Sequence, residues 1–230
     1  MTIQSALIVG TGPGLSASLA RKLAASGARV AVAARDTDKL AALCAETGAH
    51  AFACDATDAT AVAKLFADTE ATIGSPDLVI YNASARVPGA ITEIDHDAVA
   101  RALAISAFAG FLVGQQAAIR MIPRGHGTIL FTGASASVKG YKRSAAFAMG
   151  KFALRGLAQS MARELAPQGI HVAHFVIDGS IASDRRQMPA DKPDSMLDPD
   201  AIADTYLHVA AQPRSAWTWE VELRPFVENF

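Results

Sequence analysis

Apolar runs of strand length alternate with helical spacing from the first residues of the chain. Ala6 to Val9 is continuously apolar, Leu15, Leu19 and Leu23 recur on one helical face, and Val30 to Ala34 is apolar again. That opening predicts a βαβ unit. The alternation continues with Leu40, Leu43 and Cys44 on a helix, a short strand at Ala51 to Cys54, and a helix from Asp58 carrying Val62, Leu65, Phe66 and Ile73. Leu78 to Tyr81 reads as a buried strand. A long helix is expected from Asp95 to Ile122, stopping before Pro123-Arg124-Gly125, then a strand at Thr128 to Phe131. Ser144 to Leu165 is helical, ending at Pro167-Gln168-Gly169, and His171 to Ile177 is a sixth strand. Trp217 to Leu223 alternates apolar and polar positions, which predicts a last strand near a sheet edge.

Strands that are apolar on both faces and separated by helices call for a parallel sheet covered on both sides. The predicted fold class is therefore a doubly wound, Rossmann-type α/β sandwich. At 230 residues and 51% hydrophobic, the chain is long enough for one such domain, residues 1–230, since domains of this type reach roughly 200–250 residues. The stretch Asp184 to Pro199, proline-bearing and charged, reads as a mobile loop rather than a second domain.

Charge narrows the function. A formal charge of −1 with both signs interspersed gives no electrostatic footprint for nucleic acid or an anionic membrane surface, so neither partner is expected. Cys44 and Cys54 read as small buried hydrophobes in a reducing compartment rather than a disulfide framework. The histidines show no ligand spacing; His171 and His174 fall on opposite faces of a strand, and no metal site is expected. Met1 to Ser5 runs into a strand with neither a basic leader nor an apolar run of membrane-spanning length, which suggests a cytoplasmic protein.

The candidate chemistry begins at the first strand-to-helix turn, Val9-Gly10-Thr11-Gly12-Pro13-Gly14-Leu15-Ser16. Glycines there let backbone N–H groups and a helix N-terminus approach a pyrophosphate without an intervening Cβ. Read as Gly-x-x-x-Gly-x-(Gly), with Ser16 in the third glycine's place, this turn resembles the glycine motif of the short-chain dehydrogenase/reductase family. Four further segments agree in order: Cys54-Asp55-Ala56 after strand three, Tyr81-Asn82-Ala83-Ser84 after strand four, Lys151 followed by Phe152 to Leu157, and Asp178-Gly179-Ser180-Ile181-Ala182-Ser183 after strand six. The resemblance covers nearly the whole chain. It implies a nicotinamide dinucleotide held by Gly10, Gly12, Pro13, Gly14, Leu15, Asp55, Ala56, Asn82, Ala83, Ser84, Lys151, Gly179 and Ile181.

The resemblance also implies a catalytic tyrosine four residues before the lysine, and there the chain departs from the pattern with Phe147. The i, i+4 spacing puts Phe147 and Lys151 on one helical face, so the substitution falls at the reacting centre. Ser135 is similar to the substrate-positioning serine, one residue short of the usual spacing, and Ser106 stands where the family has an asparagine supporting the lysine. Tyr141 is either a stand-in proton donor or an aromatic packing on the rim. Arg35 follows strand two with Ala34 where NAD-preferring members carry an acid, which favours NADP(H) over NAD(H); the bland alternative is a solvated Arg35 beside a cap at Asp36 or Thr37.

The alanine-rich helices Asp95 to Ile122 and Ser144 to Leu165 are apolar on more than one face, which fits burial in a homo-oligomer. Trp217 and Trp219 suit packing or a subunit contact. The expected function is an NADP(H)-dependent oxidoreductase on a small carbonyl or hydroxyl compound. Phe147 keeps two alternatives open, a dinucleotide-binding protein without turnover and a non-redox enzyme in the same pocket.

Overall fold

Seven parallel strands form one sheet in the order β3-β2-β1-β4-β5-β6-β7. The computed structural model describes residues 3–183 and 186–227. The strands are β1 Ser5–Val9, β2 Arg29–Ala34, β3 His50–Ala53, β4 Leu78–Tyr81, β5 Gly127–Thr132, β6 Ile170–Ile177 and β7 Glu220–Leu223. Helices α1 Leu15–Ala25, α2 Ala41–Thr47 and α7 Pro199–Ala210 bring Leu19, Leu23, Leu43, Ile202 and Tyr206 to one face, against Ala6 and Ile8. On the other face α3 Ala59–Ile73, α5 Ala109–Met121 and α6 Ala145–Leu165 bring Phe66, Val113 and Leu154 against Leu7 and Val9. This is the doubly wound α/β sandwich that the strand pattern predicts, because β1 is buried along its whole length and alternates its side chains between two apolar layers.

The direction of winding reverses between β1 and β4, and the crevice at such a switch point is where ligands bind in open α/β sheets. The register pairs Val9 with Tyr81 and Tyr81 with Phe131, so the chain leaves all three strands at one level. The residues that follow, Gly10, Asn82 and Thr132, are brought together there.

Three elements differ from expectation. The helix predicted from Asp95 to Ile122 is capped by the Asp95 side chain and runs as α4 His96–Leu103 into α5, but Ala104–Phe108 between them is a π-helical turn. Such turns free a backbone carbonyl, and here the Tyr81 hydroxyl donates to the carbonyl of Ile105. The stretch His96–Arg124 is long and apolar enough to cross a bilayer, yet its buried face is part of the core beneath the sheet.

The last strand begins at Glu220 rather than Trp217. A short turn at Arg214–Ala216 and the bond from Thr218 N to Gln212 Oε1 (2.8 Å) hold the chain off the ladder until the carbonyl of Trp219 accepts from His174 N. Trp217 instead stacks on His171 with centroids 4.8 Å apart, and Trp219 receives the Arg155 guanidinium 5.6 Å from its ring.

Of the predicted loop Asp184 to Pro199, Asp184 and Arg185 lie outside the described residues. Residues 186–198 carry no helix or strand, but their end is tied down: Leu197 N donates to Ser180 O at 2.8 Å and Ala182 N to Leu197 O at 2.9 Å. Cys54 is buried and Cys44 only partly so, packed against the α1 side of the core.

Candidate functional site

Two adjoining clefts, of about 270 and 450 Å³, open along the C-terminal ends of the central strands and share Pro13, Asn82 and Ser84. Gly10, Gly12, Arg35, Asp55, Ala56 and Ala83 line the larger one; Gly14, Leu15, Phe147, Lys151, Gly179 and Ile181 line the smaller. Fifteen of the positions singled out from sequence thus meet along one channel, counting the three shared residues with these. Ser135 and Tyr141 are not on its walls.

The glycine turn is shaped by its neighbours. Gly10 has φ +84°, and a Cβ there would lie 2.4 Å from the backbone nitrogen of Ala83, so no larger residue fits where the first and fourth strands come out side by side. Ser16 is buried and takes over the tie that a third glycine would leave bare: Asn82 Nδ2 donates to Ser16 Oγ at 2.6 Å, and Ser16 Oγ to the Gly10 carbonyl at 3.4 Å. Gly14 is the N-cap of α1 and offers no capping side chain. The first-turn N–H groups are therefore left to an anion or water. The Gly10–Leu15 turn, the uncapped helix end and a cleft on either side fit an elongated dinucleotide with its diphosphate in the middle.

In the larger cleft, Asp55 is fixed by its own turn, accepting from Thr57 N at 3.0 Å and Thr57 Oγ1 at 2.7 Å, which holds its carboxyl below the usual range. Arg35 faces this cleft with Asp36 and Lys39. Asp36 is engaged by Lys39 at 2.6 Å and its pKa is lowered by that bond, so the acid beside Arg35 is already paired. Cys54 also lines it; burial, then Asp55 and Asp58, push its thiol up to about 11, which leaves it unreactive.

The smaller cleft holds the reactive groups. Lys151 is 2% exposed, and its Nζ donates to the Thr132 carbonyl at 2.7 Å. Burial, and then the Arg86 cation, pull its ammonium down to about 7. Phe147 lies one turn earlier on α6, its ring 5.9 Å from Lys151 Nζ and covered by the Arg86 guanidinium.

Ser106 sits in the π-helical turn, fully buried; its Oγ accepts from Ala85 N at 3.1 Å and presses on Gly150, where a Cβ would lie 2.6 Å from its own. Its hydrogen bonds go to Ala85 and anchor the segment leading to Arg86, while the Lys151 ammonium bonds Thr132. Ser135 is partly buried at the start of a short turn, one residue beyond the cleft-lining Ala134. Tyr141 is 45% exposed, with Lys139 Nζ 5.8 Å from its ring. It lies in the open loop after Gly140, outside the residues lining the channel, a placement that suits the second of its two readings, an aromatic on the rim.

Sequence reasoning missed Arg86, Arg186, Lys39 and the wall Thr132-Gly133-Ala134. Arg86 had a signal: a charged residue a few positions beyond the C-terminal end of a buried parallel strand lies at the ligand-binding edge by topology. Arg186 had none, because only the bridge between Ser183 and Arg186 brings it back to the cleft.

Comparison with known proteins agrees with this architecture. The short chain dehydrogenase family profile matches residues 4–191. A short-chain dehydrogenase from Rhodopseudomonas palustris is 36% identical, superposes with a TM-score of 0.83, and is matched over 96% of this chain and 98% of its own. A metagenomic short-chain oxidoreductase solved in complex with NADP is 28% identical with a TM-score of 0.85, over 97% of this chain and 98% of its own. The cyclic-di-GMP-binding biofilm dispersal mediator protein of Escherichia coli is 34% identical over 84% of this chain and 78% of that protein. With the profile spanning most of its length and these relatives covering it end to end, the chain belongs to the short-chain dehydrogenase family of oxidoreductases.

Proposed function

We propose that the protein is an NADP(H)-dependent oxidoreductase interconverting a small carbonyl compound and its alcohol. The observation that carries this reading is Lys151, a buried ammonium on the floor of the cleft that Gly14, Asn82 and Gly179 also line. Burying an amine is costly, and hydroxyl oxygens of a ligand in that cleft offset the cost when it is bound. A bound nicotinamide supplies or accepts the hydride. In this assignment the turn from Gly10 through Gly12, Pro13 and Gly14 to Leu15, with the uncapped end of α1, holds the diphosphate. Arg35 and Lys39 hold the 2′-phosphate, and Asp55, Ala56, Asn82, Ala83 and Ser84 border the adenosine half. Gly179 and Ile181 pack against the nicotinamide and Lys151 binds its ribose; Ser135, one residue beyond the cleft-lining Ala134, is the residue assigned to the substrate oxygen by the resemblance. Phe147 has no proton to give, so Lys151 and water are the proton sources within reach of the cleft.

A relative solved with NADP and the paired state of Asp36 beside Arg35 support NADP(H) over NAD(H). We further assign a cytoplasmic homo-oligomer: Phe108 at the end of the π-helical turn, Phe111 on α5, and Met149 and Phe152 on α6 are exposed apolar side chains on the two long helical stretches expected to pair. A second reading, a dinucleotide-binding protein without turnover, is favoured by one observation, the apolar Phe147 covered by Arg86. Titration decides between them. NADPH raises the melting temperature under either reading, because a ligand specific to the native state stabilises it. Turnover of any member of a small-carbonyl panel selects the oxidoreductase; no thermal shift with NADPH or NADH overturns both.

A further inference from the structure

The smaller cleft carries three cations, Lys151, Arg86 and Arg186, and no carboxylate among its described lining residues. They are not spare members of ion pairs. Arg86 meets an aromatic ring, and the charges that depress the pKa values of Lys151 and Arg86, after burial, are respectively Arg86 and Arg186. Like charges this close repel, an arrangement that costs stability unless an anion comes to lie between them.

Part of that anion demand belongs to a dinucleotide, and position separates the share. Arg186 is bridged to Ser183, whose Cβ would lie 3.9 Å from a Cβ on Gly14, so it stands beside the diphosphate turn. Arg86 stands elsewhere. Its guanidinium carbon is 4.1 Å from the centre of the Phe147 ring, the position next to Lys151 where the resemblance puts the reacting centre. A guanidinium there presents planar paired donors that match a carboxylate. The cleft of about 270 Å³ also takes the nicotinamide in the reading above, and ligand sites commonly span roughly 300–1,000 Å³, so the share left beside Arg86 suits a compact group.

We propose that Arg86, seated on Phe147, is the specificity-determining residue for a substrate carrying a carboxylate beside its carbonyl, so that the protein acts on short oxo acids rather than neutral ketones. This rests on the dinucleotide-dependent reading above. It also gives Phe147 a positive role, since a flat apolar ring supports the guanidinium by a cation–π contact.

The test uses the full chain saturated with NADP+, so that binding is read without turnover. Short oxo carboxylates, with the ketone alpha, beta or gamma to the carboxylate, are titrated by calorimetry against their neutral methyl esters. The unmodified protein is expected to bind at least one carboxylate about ten-fold or more tighter than its ester, the loss expected for a charge-assisted bond. Arg86→Met, which keeps the packing on Phe147, is expected to abolish that preference, and Arg86→Lys to restore part of it. Affinity for NADP+, titrated separately, is expected to stay within about two-fold in both variants. Equal binding of acids and esters, or no binding of any member, overturns the proposal. So does a fall in NADP+ affinity that matches the loss of carboxylate affinity, which would assign Arg86 to the diphosphate. Absence of NADP+ binding in the unmodified protein sinks the dinucleotide reading instead, and is scored in its own arm.

Discussion

Arg86 lies over the ring of Phe147, its guanidinium carbon 4.1 Å from the centroid, on the ring whose centre is also 5.9 Å from the Lys151 ammonium. Two cations therefore flank the one apolar side chain at the expected reacting centre.

A phenol in that place would have its pKa lowered by both charges. Phe147→Tyr is expected to raise NADPH-dependent reduction of carbonyl compounds by about 10²–10⁴, the usual contribution of a positioned general acid. Steady-state NADPH oxidation by the two proteins measures it. An unchanged rate would show that the cleft lacks more than a hydroxyl.

Arg35 faces the larger cleft with Asp36 already bound to Lys39. Arg35→Ala is expected to weaken NADPH about ten-fold or more and leave NADH nearly unchanged, because only the 2′-phosphate loses a charge-assisted bond. Parallel titrations check this; equal losses for the two dinucleotides would take Arg35 off the phosphate.

Lys151 is pulled to about 7 by burial and by Arg86, whereas an unfolded lysine titrates near 10.4. The unfolded state thus binds more protons between these values, so ligand-free stability is lowest below about pH 7 and rises toward pH 10. Lys151→Met removes the buried amine at the expense of its bond to Thr132. A net gain of about 2 kcal/mol is expected at pH 7, or several degrees in melting temperature, with the alkaline rise flattened. Thermal melts without ligand across pH 7–10 test both; a variant less stable at pH 7 contradicts the account.

His174 on β6 is fully buried, its Nδ1 3.1 Å from Glu220, and burial outweighs that carboxylate to bring its pKa down to about 4. Unfolded histidine titrates near 6.5. The contribution from keeping it neutral is complete above that value and is lost as pH falls toward 4, about 2 kcal/mol by pH 5. Urea unfolding at pH 7.5 and 5 is expected to show this loss, and His174→Gln to reduce it. An equal slope in the variant would place the acid sensitivity elsewhere.

The sandwich and most of the channel were legible in the residue pattern. Both follow from local rules: apolar runs buried on two faces demand a covered parallel sheet, and glycine or small polar residues after strands one, three, four and six sit at the ligand edge wherever such a sheet forms. Gly10 could be named on those grounds, and Asp55, Asn82 and Lys151 by the resemblance to the short-chain dehydrogenase family; all four line the two clefts. Which charges converge was not legible in that pattern and emerged from the packing. Arg86 reaches Phe147 across sixty-one positions of chain because β4 and β5 are neighbours, α6 packs beside β6, and Ser106 in an unforeseen π-turn fixes Ala85. Tyr141, only six positions before Phe147 in sequence, stays in the open loop. Spacing along the chain carries information about one element at a time, whereas electrostatic contact at 4 Å depends on the packing of several.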